Sequence, residues 1–234
     1  LGGIGSRSRR GGGSVQVTNV QGQLPSGVPD LQVRAQSPQQ LRDELTNGLR
    51  QLRTLISTGS PRATISATPN FDVLHPNTCR IVVLNRTWNT VEQTLDEVGQ
   101  RFRTFRDRRQ PDYQNVKNVV SGTSPTLQSV ERAAFGLPIV FYYRSLGGQQ
   151  GTLQGGIHDR RASPLLMRVV RLANGQHTMV MTVFKAALLE GGEGLSLRRR
   201  GGAPIAGNVP GLGILDAFLG DLGRAIPLLE VANW

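Results

Sequence analysis

Two groups of residues in this sequence could do chemistry: arginines set among glycines, and one histidine beside acid and arginine. Residues 1–14, LGGIGSRSRRGGGS, hold Gly2, Gly3, Gly5, Gly11, Gly12 and Gly13 together with Arg7, Arg9 and Arg10. Glycines let a polyanion approach main-chain N–H groups, and planar guanidinium forks grip phosphate bidentately. The expected chemistry is binding of a nucleic-acid backbone, against the alternative of a solvated flexible loop. Nucleotide-binding fingerprints do not fit. Gly3-Ile4-Gly5 opens a G-x-G-x-x-G, but Ser8 stands at its sixth position and no G-K-[S/T] follows.

Further arginines extend this basic character. Arg160 and Arg161 follow His158 and Asp159, with phosphate or Asp159 and water as their candidate partners. Arg101, Arg103, Arg106, Arg108 and Arg109 fall at the end of a candidate helix, where the macrodipole favours cations whether or not RNA is bound. Arg198, Arg199 and Arg200 sit in a glycine-rich stretch and read as an exposed arm. His158 could act as a general base in RNA cleavage, but such cleavage also needs an acid and charge stabilisation, and no second titrating residue is marked for either role. His75 and His177 read as structural. Acidic residues are sparse and unclustered, against a two-metal nuclease. Tyr142, Tyr143, Phe102 and Phe105 could stack on bases, yet with aromatics at 5% of the chain they are expected in the core.

Composition agrees with a basic, folded chain. Of 234 residues, 27 are Lys or Arg and 16 are Asp or Glu, a formal charge of +11, and all but Lys117 and Lys185 of the basic residues are arginine. Hydrophobic residues at 38% are enough to bury a core. No run approaches the roughly 18 consecutive apolar residues of a membrane span, so no membrane association and a cytoplasmic location are expected. One cysteine, Cys79, and three scattered histidines exclude disulfide and zinc scaffolds, and no metal or cofactor is expected. Opening at Leu1 directly in the glycine-arginine run, the chain is expected to begin inside a longer protein.

The elements that must position these residues follow from periodicity. SVQVTNV alternates imperfectly and is expected to be a strand entered from the glycine-arginine loop. Ser37-Pro38 opens an amphipathic helix carrying Leu41, Leu45, Leu49, Leu52, Leu55 and Ile56 to about Thr58. RIVVLNRT reads as a strand covered on both faces. Thr90 and Gln93 cap a second helix whose buried face is Val91, Leu95, Val98, Phe102 and Phe105. A polar loop to Ser124, a short helix towards Ala134, a strand IVFYYR and a loose glycine-rich excursion follow. SPLLMRVVRL and HTMVMTVFKAALL flank Ala173-Asn174-Gly175 as a hairpin. Glycine and arginine then dominate to Gly213, before a short helix from Ile214 to Leu222. The order is an α+β mixture.

The loop GGIGSRSRRGGGS leading into a strand resembles the signature of the RAMP (repeat-associated mysterious protein) superfamily of CRISPR effector proteins. RAAFGLPIVFYYR at 132–144 and DRRASPLLMRVVRL at 159–172 are similar to the closing domain of the first Cmr subunit of type III-B complexes, so that the likeness covers about two thirds of the chain. Gly12 departs from the family, which usually carries a bulky apolar or aromatic residue there; relatives also bear an Arg/Trp-rich front half that is missing here. The resemblance implies a ferredoxin-like (RRM-like) RAMP domain with an antiparallel sheet and packed helices, preceded by the end of a second, incomplete ferredoxin-like domain. Residues 1–60 would end that first domain, and 61–234 would form the other, with a Gly/Arg-rich segment at 190–213. The implied function is that of a non-catalytic RNA-binding subunit in antiviral defence, contacting guide RNA or target RNA beside other subunits of the effector complex. Gly2, Gly3, Gly5, Arg7, Arg9, Arg10, Gly11, Gly12, Gly13, Arg160 and Arg161 are its expected RNA contacts. The alternative is a metal-independent endoribonuclease of the same superfamily, processing guide RNA through His158.

Overall fold

The structure, a computed structural model, describes residue 4, residues 9–57, residue 65 and residues 68–234. Its elements run α1 (Pro38–Ser57), β1 (Cys79–Leu84), α2 (Val91–Asp107), α3 (Gln110–Val120), β2 (Ile139–Tyr143), β3 (Gln149–Gly155), β4 (Leu165–Arg171), β5 (His177–Phe184), β6 (Leu195–Arg199), β7 (Ile205–Gly207), α4 (Gly213–Gly223) and β8 (Leu228–Glu230). The strands form two antiparallel sheets, β4-β5-β1-β8 and β2-β3-β6-β7, so the chain is α+β.

The first sheet is covered on both sides, as the apolar run in β1 predicts. One face carries Val82, Leu84, Met167, Val169, Met179 and Met181 into a core with Val98 and Phe105 of α2 and Phe218 and Leu222 of α4. Phe102, Phe105, Phe135 and Phe218 meet there at centroid distances of 4.9 to 6.3 Å, mostly edge to face. The other face carries Ile81, Val83, Val170 and Val180 against Leu41 and Leu49 of α1. The helix assigned from sequence to the chain's first 60 residues thus shares a core with β1, which lies beyond that boundary.

The second sheet is covered on one side. Phe141, Tyr143, Leu153, Leu195 and Leu197 pack on Val116, Val119 and Val120 of α3. The alternate residues of β2, Val140 and Tyr142, are exposed.

α1 and α2 begin where their caps predict. Ser37 Oγ accepts from Gln40 N at 3.2 Å, and Thr90 Oγ1 accepts from Gln93 N at 3.2 Å. Five expectations are corrected. Residues 15–20 are not a strand; apart from an isolated bridge between Val17 and Gln32, they run as irregular chain beside β4. The supposed loop at 109–124 is mostly α3, with Pro111 in its first turn, and the helix expected near 124–134 is only a 3-10 turn at Glu131–Phe135. The glycine-rich excursion contains β3, which pairs with both β2 and β6. Finally, Arg198 and Arg199 are not an arm but part of β6, and Arg199 Nη1 donates to Val119 O at 3.0 Å.

Candidate nucleic-acid interface

β4 is an edge strand, so every second amide along it needs a partner from outside the sheet. Leu165 N donates to Ser163 Oγ at 3.2 Å, and the chain from Arg9 to Gln16 supplies the other three. Met167 N donates to Arg9 O at 2.9 Å, Val169 N to Ser14 Oγ at 3.0 Å, and Arg171 N to Gln16 Oε1 at 3.0 Å. Gln16 Nε2 donates back to Arg171 O at 2.9 Å, and Arg168 donates to Val15 O.

Arg10 still bridges to Met167, and from there to Ser14 the chain leaves the edge and bulges through Gly11, Gly12 and Gly13. Gly11 and Gly13 take φ of +85° and +80°, which side chains of L residues rarely adopt. Ile4 N donates to Gly13 O at 2.9 Å, and a Cβ on Gly13 would overlap the Ile4 carbonyl. A Cβ on Gly11 would lie 2.7 Å from Leu95 Cδ2 on α2. Glycine therefore allows the bulge to settle on that helix.

The bulge brings Arg10 to a groove of about 460 Å³, whose floor is Leu95, Gly99, Phe102, Met167 and Met179 and whose rim is Arg103, Arg106, Asp107 and Arg132. The rim arginines differ in their partners. Arg132 is 3.6 Å from the buried Asp112 and lies over the Phe141 ring at 5.4 Å. Arg103 makes a loose, exposed ion pair with Asp107 at 3.7 Å. Arg106 lies over the Phe102 ring at 5.3 Å, and its buried Nε has no hydrogen-bond partner. Burial, then the charges of Arg10 and Arg132, push the Arg106 pKa down. Arg10 is exposed and makes no side-chain hydrogen bond or ion pair among the described residues. Two guanidinium groups thus converge on an apolar-floored groove whose one lining carboxylate, Asp107, pairs with Arg103 and only partly offsets the effect of burial and like charge on Arg106, a state an added anion would relieve.

The other expected contacts divide four ways. Arg9 and Arg161 are drawn together by Asp72, a carboxylate only 11% exposed. Arg9 Nη1 lies 2.6 Å from one oxygen and Arg161 Nη2 2.8 Å from the other. Arg9 also donates to Ser163 O and Arg161 to Leu188 O, so both staple the loop to the body instead of facing solvent. Arg160 is exposed with no ion pair among the described residues. Gly11, Gly12 and Gly13 form the bulge, while Gly2, Gly3, Gly5 and Arg7 lie outside the described residues.

At the end of α2, Arg101 pairs with Glu97 at 3.0 Å, Arg108 with Asp221 at 3.7 Å and Arg109 with Glu131 at 3.5 Å. Only Arg103 and Arg106 of that run reach the groove. Arg132 was missed altogether; the legible signal was the stripe Leu95, Gly99, Phe102, Arg103 and Arg106, which spacings of three and four place on one helical face.

His158 sits on an exposed loop held from beneath by Glu193. One oxygen of this buried carboxylate accepts from the backbone N–H groups of Ile157 and His158, both at 2.7 Å, and the other lies 2.9 Å from His158 Nδ1. Hydrogen bonding to Glu193, then its charge, raises the His158 pKa. Burial pushes Glu193 up, but its bonds to His158 and Ile157 outweigh this and hold it below the usual carboxylate range. A Cβ on Gly155 would overlap both the His158 carbonyl and the Glu193 carboxylate, so glycine is what lets this loop fold back.

No described helix is long and apolar enough to cross a membrane, and no three His, Cys, Asp or Glu residues gather as a metal site among the described residues. No protein-family model, curated protein or solved structure matches this chain.

Proposed function

We propose that the chain is a non-catalytic RNA-binding subunit of a type III CRISPR ribonucleoprotein of antiviral defence, working in the cytoplasm and holding guide or target RNA by its phosphates. In this reading it carries a ferredoxin-like RAMP domain, follows the end of another, and docks beside other effector subunits. One observation carries the RNA part: Arg10 and Arg106 of α2 meet at one groove, and among the described residues neither makes an ion pair. Arg103 and Arg132 add charge at the rim, and the apolar floor suits the sugar or base of the same strand.

The test is salt-dependent binding of labelled single-stranded RNA. Each phosphate contact on a single strand contributes about 0.7 to the slope of log affinity against log salt, so R10A/R106A is expected to flatten that slope by about 1.4. An unchanged slope removes the groove from the reading.

A second reading, metal-independent cleavage of guide RNA through His158, draws on one observation: a carboxylate fixes the imidazole, as it would have to for proton transfer. It requires product bands from a repeat RNA incubated in chelator, abolished in H158A with binding intact. Intact RNA in that incubation sets it aside.

A further inference from the structure

We infer that the uncovered face of the second sheet is a base-stacking platform for single-stranded RNA, centred on Tyr142. This inference rests on the RNA-binding reading above and adds a second surface to it.

Strand alternation divides β2 cleanly. Phe141 and Tyr143 enter the core with α3, while Val140 and Tyr142 turn to the other side, 60% and 56% exposed. The register carries that outer face across the sheet: Val140 stands opposite Thr152, and Thr152 opposite Arg198. Among the described residues the helix packed on this sheet, α3, lies on the opposite side, and only the Gln154 end of this face is covered, by the loop carrying Asp159. An antiparallel sheet with one face in water ordinarily shows polar residues there, as β3 and β6 do with Gln150, Thr152, Ser196 and Arg198; β2 instead sets a tyrosine and a valine side by side among them.

The tyrosine is also held in a useful pose. A Cβ on Gly148 would lie 3.0 Å from the phenolic oxygen and 3.7 Å from the nearest ring carbons, so the far end of the ring rests on the Gly148 backbone. A ring steadied at its phenolic end by the β2–β3 turn and more than half exposed is available to a stacking ligand.

Charge complementarity selects the occupant. Arg198 stands on this face, 3.6 Å from Asp159 in an ion pair whose two side chains are both more than half exposed. Such a pair is worth little in water and readily exchanges its partner. Arg144, next after β2, is exposed and makes no side-chain ion pair among the described residues. Aromatic surface between arginines fits a strand of bases joined by phosphates.

The experiment compares a short labelled oligouridylate with an abasic strand of the same ribose-phosphate backbone, each titrated against the full chain. Y142A is expected to bind the oligouridylate about tenfold more weakly, the loss of one stacked base, and to bind the abasic strand as the parent does. Y142W is expected to restore the difference between the strands. Equal losses on both strands, or none on either, overturn the platform. Loss of both strands only in R10A/R106A keeps the groove and overturns the platform. A parent protein that binds neither strand overturns both. Self-association of the parent that Y142A abolishes in sedimentation, without change in RNA binding, would make this face a protein contact and overturn the inference.

Discussion

Arg9 and Arg10 are neighbours in the chain, yet they serve opposite ends. Arg9 shares Asp72 with Arg161 and ties the loop to the body, whereas Arg10 turns to the groove beside Arg106, and among the described residues neither of these two makes an ion pair. The difference teaches that guanidinium groups in one glycine-arginine run are not one surface. Those that find a buried carboxylate become part of the fold, and those that do not are left to bind. The strongest way to break this contrast is Asp72→Ala, which leaves two part-buried cations without a partner. It is expected to cost about 3 kcal/mol of stability, read from the shift of the urea midpoint. A loss below about 1 kcal/mol would remove the clamp.

Arg106→Met is expected to act in the opposite sense. It relieves an unpartnered buried Nε and keeps an apolar contact on Phe102, so stability should hold or rise by about 1 kcal/mol while RNA affinity falls several-fold. A clear loss of stability would show that Arg106 belongs with Arg9. Arg10→Ala is expected to leave the urea midpoint within about 0.5 kcal/mol and to lower the salt slope by about 0.7.

The smallest effect concerns the His158–Glu193 pair. Glu193 titrates below its ordinary value, so its contribution is present above the unfolded-state value of 4.5 and is lost on acidification. His158 titrates above its ordinary value, so its contribution is complete below 6.5 and fades as pH rises through the raised folded value. The pair therefore supports the loop best between about pH 4.5 and 6.5. H158A should flatten the decline of thermal stability above pH 6.5, and identical pH profiles for the two proteins would refute the coupling.

Much of the first sheet and its helices was legible because each element repeats its own period. Leucines at helical spacing mark α1, and the β4–β5 hairpin is announced by Asn174-Gly175, where Gly175 takes φ of +87° and Asn174 Oδ1 accepts from Gln176 N. Of the second sheet only β2 was legible, and the rest of it and α3 were hidden for a physical reason. β3 reads QQGTLQG, and its main-chain pairing on both edges holds it more than its own apolar residues do. α3 reads QPDYQNVKNVV, and its buried Asp112 accepts the N–H groups of Glu131 and Arg132, a tertiary bond that no local period announces. The site was half legible. The glycine bulge and the arginine-rich end of α2 stood out separately, but their meeting depends on the edge of β4, which sequence does not place beside α2.

The strap along β4 also makes the site's motions measurable. The amides of Met167, Val169 and Arg171 are shielded by the same segment that delivers Arg10, so they can exchange with solvent deuterium only when that segment lifts. Their exchange rates count the openings of the loop, and a ligand that holds Arg10 should slow all three by a common factor.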